Sequence, residues 1–156
     1  MTDEKKAEVK KDSRIEDAVK DGDTTLIVSQ EETTPGNHVI VTFYLANNPG
    51  LIAMSGIVFY DENYITLENV QLGDDFKGIL DFDHSENLKS GCELLWSGEK
   101  IEENQMCDGI ILELEFSVQK DLQGEKIPIT FVPDKEGVCD NNLSTVNLLV
   151  DNGWIN

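Results

Sequence analysis

Residues 45–70 read LANNPGLIAMSGIVFYDENYITLENV, and their pattern decides what fold this chain builds. Asn47, Asn48, Pro49 and Gly50 form a turn cluster, and an apolar run follows from Leu51 to Tyr60. A second turn at Asp61–Asn63 leads into an alternating segment, Ile65 to Val70. Within the central run, Met54, Val58 and Tyr60 share one parity and Ala53, Ile57 and Phe59 the other. A strand with one wet face alternates apolar with polar residues, so a strand apolar at both parities is expected to be covered on both faces. In a small all-β domain, the second cover is often another protein.

Outward from this stretch, short strand-like runs recur with turn formers between them, the rhythm of a sandwich or barrel. The pattern predicts strands at Leu26–Ser29, Val39–Leu45, Ala53–Tyr60, Ile65–Val70 and Ile79–Asp83. Four more are predicted at Cys92–Ser97, Ile110–Val118, Ile127–Val132 and Val146–Ile155, the last of them broken. The Ile110–Val118 run sets Ile110, Leu112, Leu114, Phe116 and Val118 against Glu113, Glu115 and Ser117, a half-buried antiparallel strand. Turns are expected at Pro35–Gly36–Asn37, Lys89–Ser90–Gly91, Asp108–Gly109 and Gln123–Gly124, with short helical turns near Asp74–Gly78 and Asn141–Val146. The expected class is all-β: a nine-stranded antiparallel β-sandwich with jelly-roll or immunoglobulin-like connections.

Residues 1–23 differ in character. They hold six of the twelve basic residues and only Ala7, Val9, Ile15, Ala18 and Val19 as small apolar anchors. They read as a charged, solvated linker or extension, with a short amphipathic helix as the alternative. The folded unit is expected to span 24–156. No apolar segment of the kind a secretion signal needs stands at the N-terminus, but a domain cut from a larger secreted protein would also lack one. Nothing approaches the roughly 18 apolar residues that cross a bilayer.

The chain of 156 residues carries a net charge of −19. From Thr24 onward, six Lys face 23 Asp or Glu, a net of −17. Such a surface repels phosphate backbones and anionic headgroups, which argues against nucleic acid and membrane as partners. It favours solubility and the steering of a basic partner. Cys92, Cys107 and Cys139 are too few for a disulfide scaffold and lack zinc-like spacing. Cys92 reads as a buried thiol, and a Cys107–Cys139 bridge is open in an exported protein.

Catalytic patterns are missing from the sequence. GxSxG, HExxH and phosphate-cradling glycine loops do not occur. Asp81–Phe82–Asp83–His84–Ser85 imitates the start of a calcium loop but puts Glu86 and Cys92 where glycine and glutamate are needed. His38 and His84 read as surface residues, and acidic pairs such as Asp74–Asp75 and Glu102–Glu103 are expected by chance in so acidic a chain. Trp96 shares parity with Cys92 and Leu94 and reads as core, while Trp154 closes the last strand. Neither reads as a sugar-stacking platform.

From Thr24 to Asn156 the order of motifs resembles a cohesin domain, the receptor module of cellulosome scaffoldins. Pro35–Gly36 is followed by Val39–Asn47 running into Asn48–Pro49–Gly50. The long strand closing in Phe59–Tyr60–Asp61 is similar to the family's strand ending in Tyr-Asp-Pro, with Glu62 in place of the proline. Leu94–Ser97, Asp108–Phe116 and Asn152–Ile155 resemble the sixth strand, the segment of Asp-Gly and alternating strand, and the closing strand.

The resemblance implies a nine-stranded jelly roll that binds a dockerin without catalysis, through one sheet face built from strands 8-3-6-5. It implies an outward set of Ala53, Ser55, Ile57 and Phe59 on strand three, Asp81 and Asp83 on strand five, and Glu93, Leu95 and Ser97 on strand six. A one-residue slip would exchange this set for the inward one. The resemblance further implies an apolar centre of Ile57, Phe59 and Leu95 inside a carboxylate rim, and no cofactor or metal on this chain, calcium belonging to the dockerin. It implies a monomer at an extracellular site, secreted or on a bacterial cell surface. The alternatives are a carbohydrate-binding module of a secreted polysaccharide-degrading protein and a cell-surface adhesin sandwich.

Overall fold

The alternating runs bury their apolar parity by packing two sheets face to face. In the computed structural model, which describes residues 12–33, 36–102, 105–119 and 122–156, the first sheet has five strands. Its order is β11 (Leu149–Asp151), β1 (Thr25–Val28), β3 (His38–Ala46), β8 (Gly109–Val118) and β5 (Ile65–Leu72). The second runs β2 (Gln30–Glu31), β12 (Gly153–Ile155), β9 (Ile127–Pro133), β4 (Leu51–Phe59), β7 (Cys92–Ser97) and β6 (Asp81–His84), with β10 (Cys139–Asp140) also paired to β4. The twelve described segments contain each of the nine expected strands. The excess over nine comes from β2, β10 and the break between β11 and β12.

Most pairings are antiparallel, but β1 runs parallel to β11 and β2 parallel to β12. The first and last parts of the sandwich therefore cross together from one sheet to the other, at Ser29 and Asn152. Gly153 is required there for space: a side chain on it would collide with the carbonyl oxygens of Val28 and Ser29. Asn152 Oδ1 accepts from Phe131 N at 2.9 Å and holds the crossing against β9.

Between the sheets, Phe131 stands edge-on to Phe43 and to Trp96, with ring centroids 5.5 and 6.0 Å away. Trp96 is fully buried, as its parity predicts, and the Cys92 thiol is buried beside Leu94. Trp154 lies in β12, half-buried, with Lys126 Nζ 4.6 Å from its ring centre. All three cysteines are free thiols, so the Cys107–Cys139 bridge is not formed.

Local chemistry sets the boundaries. Asn48 Oδ1 accepts from Gly50 N and Leu51 N, and the Asp108 carboxylate accepts from Asn47 N and Asn48 N, which locks the turn into β4. A 3-10 turn at Asp74–Phe76 delays β6 to Asp81, because Phe76 O accepts from both Ile79 N and Leu80 N. Asn141–Val146 is a turn rather than a helix, since Asp140 Oδ1 accepts from Asn142 N and Ser144 N. Ser13–Asp21, within the charged N-terminal stretch, forms helix α1. Residues 1–11, Pro35 and Glu103 of the sequence reading lie outside the described residues.

Candidate partner-binding face

The outer surface of the second sheet is built by the parity that faces away from the core. On β4, Met54 and Val58 point inward and are buried, with Tyr60 following them, while Ala53, Ser55 and Ile57 are half-buried and Phe59 is exposed. On β7, Cys92, Leu94 and Trp96 point inward while Glu93, Leu95 and Ser97 are exposed. On β6, Asp81 and Asp83 are exposed and Phe82 packs inward, its ring 5.1 Å from that of Trp96. All nine residues named from sequence thus share one face.

Register brings them into rows. Ile57 pairs with Glu93 on one side and Val132 on the other. Leu95 lies between Ser55 and Asp83, and Ser97 between Ala53 and Asp81. Directly paired side chains in a sheet sit about 5 Å apart, and diagonal ones about 7–8 Å. Phe59, Ile57, Val132 and Leu95 therefore form one continuous apolar patch. Phe59, Leu95 and Val132 are 43%, 48% and 49% exposed, high values for large apolar side chains on adjacent strands. Four strands spaced about 4.8 Å apart make a strip roughly 15 Å wide, enough for a helix about 10–12 Å across.

Val132 and Thr130 were not among the residues named from sequence. The signal was present, because Ile127, Ile129 and Phe131 alternate inward and leave Pro128, Thr130 and Val132 outward. A second unforeseen feature lies where β9 leaves β4. Pairing stops at Gly56–Pro133 and resumes at Ala53–Cys139. The intervening chain makes a tight turn, with Asp134 N donating to Ser55 O and Gly137 N to Asp134 O, both at 2.9 Å. Gly137 packs so closely on Ser55 that any side chain there would collide with Ser55 Oγ. The turn carries Asp134, Lys135 and Glu136 onto the edge of the face, all exposed.

The rim is therefore mostly carboxylate: Asp81, Asp83, Glu93, Asp134 and Glu136. Among the described residues, no group of three or more His, Cys, Asp or Glu is arranged to hold a metal ion. The histidines lie on different sheets. His38 Nδ1 is 2.7 Å from Glu115 Oε2, and His84 Nδ1 is 3.0 Å from Ser85 O. Behind Phe59, the Tyr60 hydroxyl donates to Leu88 O at 2.8 Å and ties the β6–β7 loop to the end of β4.

The architecture defines a class: a jelly-roll sandwich with one sheet face on which Phe59, Leu95 and Val132 stay exposed among the described residues. No model of a protein family matches the chain, and no curated protein does. Solved structures do. The chain is similar to the sixth cohesin of scaffoldin B from Acetivibrio cellulolyticus, solved with a Cel5 dockerin mutant (19% identity, TM-score 0.71, 86% of this chain and 98% of that one). It is similar to the OlpA cohesin of Clostridium thermocellum, in complex with a dockerin (18%, TM-score 0.72, 85% and 97%). It also resembles a non-cellulosomal cohesin from the archaeon Archaeoglobus fulgidus (18%, TM-score 0.70, 85% and 89%). The fold of this chain is the cohesin fold.

Proposed function

We propose that this chain is a non-catalytic receptor module that binds a dockerin on the outer face of β9, β4, β7 and β6. The observation that carries the reading is the patch of Phe59, Ile57, Val132 and Leu95, which leaves three large apolar side chains close to half exposed on one flat face. A patch of this kind ringed by charge is the anatomy of a protein-recognition surface, in which the centre supplies affinity and the rim tunes rate and partner choice. The solved neighbours with dockerins bound support the same assignment. In this reading the calcium belongs to the dockerin, the module acts as a monomer outside the cell, and its parent is a scaffoldin. The acidic rim fits a dockerin helix carrying Lys or Arg.

Pull-down against a panel of dockerins, with and without chelator, tests the assignment. At least one dockerin is expected to bind, and chelator is expected to abolish the interaction. The double variant Ile57→Asp with Leu95→Asp should fold, because both side chains face outward, and should lose binding. Failure of every dockerin, together with retention on cellulose or xylan, overturns the reading in favour of a carbohydrate-binding module.

A further inference from the structure

Strand β1 reads Thr-Leu-Ile-Val, and all four residues are buried. Leu26 and Val28 face the core between the sheets, whereas Ile27 packs in a separate cluster on the opposite side of its sheet. What covers Ile27 is helix α1. Ala18 of the helix packs against Ile27 and Ala46, with Ile15 and Tyr44 at the margin, and Ile27 is left 1% exposed.

The helix is pinned along its length. Asp12 caps its start, accepting from Arg14 N at 3.0 Å, and Gly22 ends it in the left-handed conformation with φ 81°. At the C-terminal end, Asn47 Nδ2 donates to Ala18 O at 2.8 Å and to Asp23 O at 2.9 Å. At the N-terminal end, Arg14 donates from Nη2 to Asp12 Oδ2 and Val28 O, both at 2.8 Å. Its Nη1 donates to Asn152 O at 3.0 Å and Asp151 Oδ1 at 3.2 Å. Val28 and Asn152 stand where the paired segments β1–β2 and β11–β12 cross between the sheets. One guanidinium thus clasps both crossing strands. A planar donor fork suits that task and an ammonium does not.

We propose that the outer side of the first sheet carries a helix-docking site of its own, that its occupant is this chain's helix α1, and that Arg14 locks it. The folded unit then includes residues 12–23, and α1 acts as a strap across the strand crossing. It lies on the sheet opposite the face proposed for a dockerin.

Hydrogen exchange on the full chain tests this. Amides of residues 17–21 should be protected in the unaltered protein. Ala18→Asp and Arg14→Gln should speed their exchange roughly tenfold or more, with little change in β8. Val19→Gln, on the exposed side of the helix, should change nothing. Because Ala18→Asp can also disturb the sandwich, Arg14→Gln decides. Helix protection lost while β8 keeps its own supports the strap. Unprotected helix amides in the unaltered chain, or Arg14→Gln with unchanged exchange, overturns it.

Discussion

Tyr60 joins the core to the edge of the partner face, since its ring stands edge-on to Phe116, 5.1 Å away, while its hydroxyl reaches Leu88 O. Burial, reinforced by the nearby Glu62 carboxylate, pushes its phenol up to about 12 from 10.0. A folded value above the unfolded one gives stability that is complete below pH 10.0 and lost as pH rises through about 12. Denaturation midpoints should fall over that window, and Tyr60→Phe should flatten the fall. At neutral pH the same variant should cost about 1 kcal/mol, the worth of the hydrogen bond. An alkaline slope identical in the variant would rule Tyr60 out as its source. Asp12 has the opposite sign. Burial opposes its ionisation, but the hydrogen bonds and charge of Arg14 prevail and hold it below 3.8. Its contribution is present above pH 3.8 and is lost as pH falls through the lower folded value. Asp12→Ala should therefore cost about 1 kcal/mol at neutral pH, with the loss shrinking in acid, as followed by chemical denaturation.

At the scale of the element, β4 does two jobs with alternate residues, and Gly56 is the point where they meet. Its inward side is filled by the Phe131 ring, so that a side chain at Gly56 would strike that ring and approach Val132 O at 2.7 Å. Gly56→Ala is expected to cost about 1–3 kcal/mol in a denaturant titration, the usual penalty of overpacking. Stability equal to that of the unaltered chain would mean that Phe131 can move aside freely. A period of two leaves a strand only two choices, and the resemblance implied the outward set on β4, β7 and β6. Because β4 is apolar at both parities, the burial of Met54, Val58, Leu94 and Trp96 in the structure selects between them. The share of β9 was written in the same alternation but went unread, because the resemblance carried residues over from its neighbours alone. The Asp134–Gly137 turn was not legible. Its position depends on β10 resuming its pairing with β4 beyond the break, and no local pattern encodes that.

The whole molecule adds charge to shape. With −19 overall and five carboxylates around the patch, the proposed function predicts that approach of a basic dockerin is accelerated at low salt. Surface-plasmon measurements from about 50 to 500 mM salt should show the on-rate falling as screening shortens to a few ångströms. Under the proposed function the apolar centre governs the off-rate, which should change little. A steep rise of the off-rate with salt would instead assign the affinity to the rim charges.

What the sequence determined by itself was everything that follows from local period: the all-β class, the approximate extents of the long strands and the parity of those that alternate, such as β8. Hydrophobic alternation dictates these, because a strand must bury one row of side chains. The tertiary structure decided what depends on distant partners. Helix α1 stood in the sequence only as the alternative to a solvated linker, since its apolar anchors are few and the contacts of Arg14 with Asp151 and Asn152 lie 137 and 138 residues away. Whether the second apolar row of a strand meets a helix of its own chain, as in β1, or is left bare, as in β4, is likewise set by packing between remote elements. The apolar run of residues 51–60 announced a second cover, and only the assembled sandwich distinguishes a row already covered from one still open to a partner.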